Sequence, residues 1–376
     1  MEVYFDNAAT TPIDERVVEV MKPYFHDTFG NPSSIHNHGR DAKSVIENAR
    51  KSVALQLGAS PSEIFFTSGG TESDNTAILG TILKYGIKAI ITSPLEHHAV
   101  LHSAEFFSDH FGVSLHFVEI DQKGRVNLNH LEELVKKFPN ALVTLMHGNN
   151  EVGNLSDISA IGELCLQNEA IFHSDMVQTV GHFPIDLSNL PVQLAAASAH
   201  KFHGPKGVGM LYVSGDFPIS PFIHGGAQER NLRGGTENIM GIVGMAKALE
   251  LANAELSDRK RKVERIKRHV IENINTNLPD IEFNGLSDDL ENSLYTVLSL
   301  STPPSDINEM LLFKLDISKI SLSGGSACAS GSSLGSHVIE ALDINPEKGT
   351  LRLSFSHMNT LEEADYVLDI LSKTLG

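Results

Sequence analysis

Ser198-Ala199-His200-Lys201-Phe202-His203-Gly204-Pro205-Lys206-Gly207 lies between two apolar runs, 192–197 and 209–213. Both runs read as buried strands, which puts the quoted stretch in a turn at a strand end. A lysine in such a place is costly to keep charged, and burial favours its neutral, nucleophilic amine. Ser198 and His200 flank it with polar groups, and the glycines that follow allow a backbone or ligand to come close. A Schiff-base lysine needs these features. They also fit a lysine that simply reaches solvent beside a Gly-Pro turn, and Lys201 alone does not separate the two.

Upstream the same rhythm recurs. Ile64-Phe65-Phe66 runs into Thr67-Ser68-Gly69-Gly70-Thr71-Glu72-Ser73, and a helical pattern follows to residue 83. Strands at 89–91, 114–118, 141–146 and 170–173 alternate with helical patterns. Alternation of this kind predicts an α/β fold with a mostly parallel sheet and helices on both faces. Ligands then collect at the carboxyl ends of the strands. Before this region, helical spacing covers 14–26 and 36–57, with Gly30-Asn31-Pro32-Ser33-Ser34 between them. After Thr236 the spacing predicts one long helix to about residue 275, then a smaller α+β pattern. The expected division is a large unit, 14–252, and a small one, 1–13 with 253–376. The basic run Arg259-Lys260-Arg261-Lys262 reads as a solvated helix face or as a docking site for an acidic partner.

Composition narrows the function classes. The chain has 376 residues, 41 % hydrophobic and 20 % charged, with a net charge of −18. That charge argues against nonspecific nucleic-acid binding, which needs basic surface. No apolar run approaches membrane-spanning length. Met1 leads directly into polar residues, without the pattern of a signal peptide. The two cysteines, Cys165 and Cys328, are far apart, which fits a reducing cytoplasm and no disulfide framework. The 18 histidines do not fall at metal-binding spacings.

Several polar residues at the predicted strand ends suit one cofactor. Gly69-Gly70-Thr71 opens a helix, where backbone N–H groups and the Thr71 hydroxyl would bind phosphate. The same tripeptide is also an ordinary helix start. Asp175 ends a buried strand and would keep a pyridine nitrogen protonated; its other reading is a helix N-cap. Gln178, one helical turn on, would reach a phenolic oxygen. Asn150 would bond the ring. His97 would stack on the ring and move protons. Arg352 would grip a substrate carboxylate or form a structural ion pair. Cys328 stands in Ser323-Gly324-Gly325-Ser326-Ala327-Cys328-Ala329-Ser330-Gly331, a composition of mobile loops that leaves a thiol exposed and nucleophilic. Cys165, inside an amphipathic pattern, reads as core.

Taken together, the chain resembles the cysteine desulfurases of the group with a long cysteine loop, in the class that supplies sulfur for iron–sulfur clusters. The resemblance rests on Asp6-Asn7-Ala8-Ala9-Thr10-Thr11, Gly69-Gly70-Thr71-Glu72-Ser73, Glu96-His97-His98, Asn149-Asn150-Glu151, Asp175-Met176-Val177-Gln178, Ser198-Ala199-His200-Lys201, Arg233-Gly234-Gly235-Thr236 and Ser326-Ala327-Cys328. It covers nearly the whole chain. It implies the aspartate-aminotransferase-like fold, fold type I, with pyridoxal 5′-phosphate bound to Lys201. Gly70, Thr71, Ser198 and His200 would hold the phosphate, and Thr236 the phosphate of a second subunit in a homodimer. His97, Asn150, Asp175 and Gln178 would hold the ring. Asn31 and Arg352 would hold L-cysteine, and Cys328 would take its sulfur as a persulfide for an acceptor protein such as a cluster scaffold. Gly70 stands where the family often has alanine. The nearest alternatives are a selenocysteine lyase and another lyase or aminotransferase using the same cofactor.

Overall fold

The computed structural model describes residues 1–324 and 335–375. The chain begins with β1 (Val3–Tyr4), α1 (Glu15–Met21) and α2 (Asn37–Gln56). Next come β2 (Ile64–Thr67), α3 (Gly70–Tyr85), β3 (Ala89–Thr92), α4 (His98–Phe111) and β4 (Ser114–Phe117). Then follow α5 (Leu128–Lys137), β5 (Leu142–Thr144), α6 (Ile158–Gln167), β6 (Ile171–Asp175), β7 (Leu194–Ser198) and β8 (Gly209–Val213). Beyond them lie α7 (Ile239–Ala254), α8 (Leu256–Asn277), β9 (Glu282–Phe283) and β10 (Val297–Ser301). The last elements are α9 (Leu311–Ile317), β11 (Ile320–Ser321), α10 (His337–Ala341), β12 (Thr350–Ser354) and α11 (Leu361–Leu375).

Among the described residues, a seven-stranded sheet runs in the order β2-β8-β7-β6-β5-β3-β4. Only β8 is reversed, because β2 and β7 both pair with it antiparallel. The other strands therefore finish on one edge, where the polar loops gather. β7 is Leu-Ala-Ala-Ala-Ser and wholly buried. Alanine is a poor strand former, but burial on both faces overrides that preference. Its small side chains let α3 pack onto β7.

One apolar core lies around this sheet and includes Ile91, Phe172, Met210 and Met245. A second joins the amino-terminal Val3 and Phe5 to Val263, Val270, Leu300 and Leu353. Parallel pairing of β1 with β11 ties the start of the chain to that second core.

Two expectations need correction. The long helix after Thr236 is two helices, α7 and α8, which meet at Glu255 with φ −105° and ψ 9°. The apolar face of α7 belongs to the first core and that of α8 to the second. The break falls where the buried face changes core, at a position with neither glycine nor proline. Secondly, no helix follows Asp175. The chain turns there, with the Asp175 Oδ1 accepting from Val177 N–H at 2.8 Å. The basic run is only partly solvated: Arg259 is buried and bonds Glu255 at 2.7 Å.

Candidate active site

A cavity of about 320 Å³ opens where the strands end. The turn after β7 brings Lys201 into it, and the N-terminal loop supplies Ala8 and Ala9. Lys201 Nζ donates to the carbonyls of Ala8, at 2.6 Å, and Ala9, at 2.9 Å. The start of the chain and its middle thus meet at the amine.

Asp175 lines the same cavity and is buried. Desolvation, then the nearby carboxyl of Asp74, pushes its pKa up to about 7, against the bond from Val177 N–H. A bound cation is what would favour the ionised form here. Gln178 Nε2 donates to the Ala8 carbonyl at 3.0 Å, so its amide braces the loop that receives Lys201.

α3 starts with no side chain capping its first turn. Its free N–H groups, at Gly70 and Thr71 on the cavity wall, are therefore available to an anion. Gly69 leads in at φ 157° and ψ −179°, a region open essentially to glycine alone. Ser198 and His200 also line the cavity. The His200 Nδ1 lies 3.1 Å from the Thr10 hydroxyl.

His97 caps α4, with Nδ1 accepting from Ala99 N–H at 3.0 Å. That bond leaves Nε2 as the protonated nitrogen. Desolvation, and then the charge of Lys201, lowers the His97 pKa to about 4. The ring is therefore neutral near pH 7. Asn150 lines the cavity, and its carbonyl accepts from Arg352 Nη1 at 3.0 Å.

Arg352 resolves an open choice. It forms an ion pair with Asp6 at 2.9 Å, and it also lines the cavity. Its Nε is buried and has no hydrogen-bond partner among the described residues. The guanidinium is held by protein on one side and presented to the cavity on the other. Asp6 in turn accepts from Ser323 Oγ at 2.7 Å. Its role in holding Arg352 was missed by sequence reasoning, because the two lie at opposite ends of the chain. Asp74 was missed as well. It sits on α3 one residue past a motif read only for its glycines and threonine, yet its buried carboxyl lines the cavity.

Two expected residues lie elsewhere. Thr236 lines a separate cavity beside Arg233 and Glu237. Asn31 is exposed, and its Oδ1 accepts from Ser33 N–H at 2.9 Å. Cys328 falls outside the described residues.

The residues that do converge fit pyridoxal phosphate: an uncapped helix start for phosphate, a buried carboxyl for the ring nitrogen, and an amine, all lining one cavity. Comparison with known proteins agrees. Residues 3–367 match the family described as aminotransferase class-V. The chain belongs to the class-V aminotransferases. Enzymes of this family use pyridoxal phosphate, and so does this one. It is 42 % identical to the "Putative cysteine desulfurase IscS 1" of Bacillus subtilis, over 99 % of each chain. It is 40 % identical to the "Cysteine desulfurase IscS" of Dictyoglomus turgidum, over 100 % of this chain and 94 % of that one. The fold matches a solved structure called a NifS-like protein with a TM-score of 0.91 and 39 % identity, covering 99 % of both chains. A structure described as SspA in complex with cysteine matches with a TM-score of 0.81 and 32 % identity, covering 94 % of this chain and 99 % of that one.

Proposed function

We infer that this class-V aminotransferase is a cysteine desulfurase that converts L-cysteine to L-alanine and passes the sulfur to Cys328. The observation that carries this reading is the convergence of Lys201, Asp175 and Arg352 on one cavity, in a chain whose relatives are named cysteine desulfurases. When bound, pyridoxal phosphate supplies an electron sink for charge left at the substrate α-carbon. Lys201 Nζ would hold the cofactor covalently, then take and return the α-proton. The Asp175 carboxylate would keep a proton on the ring nitrogen. His97, neutral, would stack on the ring with its Nε2–H available to donate. Arg352 would hold the substrate carboxylate by its free edge.

Cys328 supplies the thiolate. Its sulfur bonds to the substrate sulfur as the substrate's carbon–sulfur bond breaks. The electron pair of that bond stays with carbon, which gains a proton to give the methyl group of alanine. The cysteine is left as Cys–S–SH, so atoms balance. A reducing cytoplasm keeps Cys328 a thiol, and an acceptor protein would remove the sulfane sulfur.

Homodimerisation belongs to the same proposal. Thr236 and Asn31 stand outside the cavity of their own chain, and a second copy would bring them to it. The separation into two apolar cores supports the division at residues 14 and 252.

The test is release of alanine and sulfide from L-cysteine with a thiol reductant. The parent should release both in equal amounts. Cys328→Ala should bind L-cysteine, seen as a change in the visible spectrum, and release no sulfide. Normal turnover by that variant would make the chain another kind of lyase or an aminotransferase. Selenocysteine assayed alongside distinguishes the selenium-specific alternative.

A further inference from the structure

Behind Lys201, away from the cavity, lies a pair of side chains that the mechanism does not use. The turn that begins at Asp175 continues through Gln178 to His182, with His182 N–H donating to the Thr179 carbonyl at 3.0 Å. Gly181, at φ +78°, lets this turn press on the residue after the lysine, since a Cβ there would stand 2.6 Å from the Phe202 Cβ. His182 Nε2 lies 2.9 Å from the Lys201 carbonyl. Its Nδ1 lies 3.3 Å from the Tyr295 hydroxyl. A carbonyl only accepts, so Nε2 carries the proton and Nδ1 receives the one from the phenol. The bonds run in one direction, from Tyr295 O–H to His182 and from His182 to the Lys201 carbonyl. On the other side of the same short turn, the His200 carbonyl accepts from Thr11 N–H at 3.0 Å and from the Thr11 hydroxyl at 2.9 Å.

We propose that His182 and Tyr295 are positioning residues that fix the Lys201 peptide and thereby the reach of its amine. The proposal rests on Lys201 being the cofactor-binding lysine. Tyr295 belongs to the second core, whereas Lys201 stands at the edge of the central sheet. The pair therefore registers the small-core elements against the reacting amine. One turn, from Asp175 to His182, then sets both the ring carboxylate and the lysine backbone. Burial keeps the pair in this state. Desolvation lowers the His182 pKa to about 4 and raises that of the Tyr295 phenol. Arg259, the charged group facing both, opposes protonation of the imidazole.

The experiment uses the cofactor-loaded enzyme and the variants His182→Phe, His182→Gln and Tyr295→Phe. It measures the pyridoxal phosphate dissociation constant and the pH midpoint of the bound cofactor's visible absorption. His182→Phe should raise the dissociation constant about tenfold, the scale of a lost buried hydrogen bond, and shift the midpoint. Tyr295→Phe should move both in the same direction by less. His182→Gln can donate and accept at one amide end, and should restore most of the change. A midpoint and a dissociation constant at parental values in both His182→Phe and Tyr295→Phe would overturn the proposal. If His182→Phe does not fold, Tyr295→Phe decides it alone, since loss of one phenol oxygen leaves the packing in place. A parent that shows no visible band with the cofactor would instead remove the reading of Lys201 itself.

Discussion

At the scale of single residues, the site contains a carboxyl that the fold holds at a cost. Asp175 has a pKa of about 7, against an ordinary value of 3.8. The cofactor-free native state therefore binds a proton there that the unfolded chain has already released. Stability conferred at low pH is lost as pH rises from the ordinary value through about 7. The full displacement is worth roughly 4 kcal/mol. Asp175→Asn removes that penalty. Cofactor-free Asp175→Asn should be more stable than the parent at pH 8 by up to roughly 4 kcal/mol, and equal to it near pH 4, by urea denaturation. The same variant should bind pyridoxal phosphate more weakly, because the ring nitrogen loses its counter-charge. An unchanged difference between the two pH values would show that Asp175 is ionised in the empty fold. Gly69→Ala is a second residue-scale case. The nearest atom to an added Cβ is Ser198 Oγ at 3.8 Å, so space is not the obstacle. The backbone at φ 157° is, and the substitution should cost about 1–3 kcal/mol by the same measurement.

At the scale of elements, the strands of the large sheet and the loops at their ends were legible. Most of these strands contain a short apolar run, whereas β4, Ser114-Leu115-His116-Phe117, alternates polar and apolar residues. Lys201, Asp175, His97 and Gly70 could be placed because a residue at a strand end needs only the strand to be found. The joint between α7 and α8 was not legible, since α7 is apolar almost all round, α8 is amphipathic, and nothing in Asn253-Ala254-Glu255 breaks a helix by itself. The change of partner core is tertiary information. The turn Glu229-Arg230-Asn231 was hidden for a related reason. All three residues have positive φ, of 42°, 55° and 67°, and none is glycine. Tertiary contacts hold it: the buried Glu229 carboxylate accepts from Arg50 Nη1 at 2.7 Å, Arg50 Nη2 at 2.8 Å and Phe66 N–H at 2.8 Å. Arg50→Met would leave that carboxylate buried without its cation. It should destabilise the protein by about 3–5 kcal/mol. Loss of the turn should also displace Arg233 from Glu72, its partner at 2.9 Å. A stability near the parent's in guanidinium denaturation would mean that water reaches Glu229 readily.

At the scale of the whole molecule, one chain leaves two kinds of surface unexplained. Ile35 is 90 % exposed, Phe29 70 % and Phe25 55 %, all close in sequence to Asn31. Apolar residues grouped so are the usual mark of a contact surface. Thr236 lines a second cavity away from Lys201. Both observations follow if two copies pair about a twofold axis and each supplies groups to the other's site. Lys201→Ala should be inactive alone. Thr236→Ala should be inactive at a cofactor concentration that just saturates the parent. When the two are unfolded together and refolded, hybrid dimers form. In a hybrid, one site carries both changes and the other carries neither. Random pairing makes half the dimers hybrids, each with one intact site, so about a quarter of the parental activity should return. If each site were built from a single chain, every site in the mixture would carry one of the two changes. The mixture would then stay as inactive as its components, and the surface around Ile35 would need another partner.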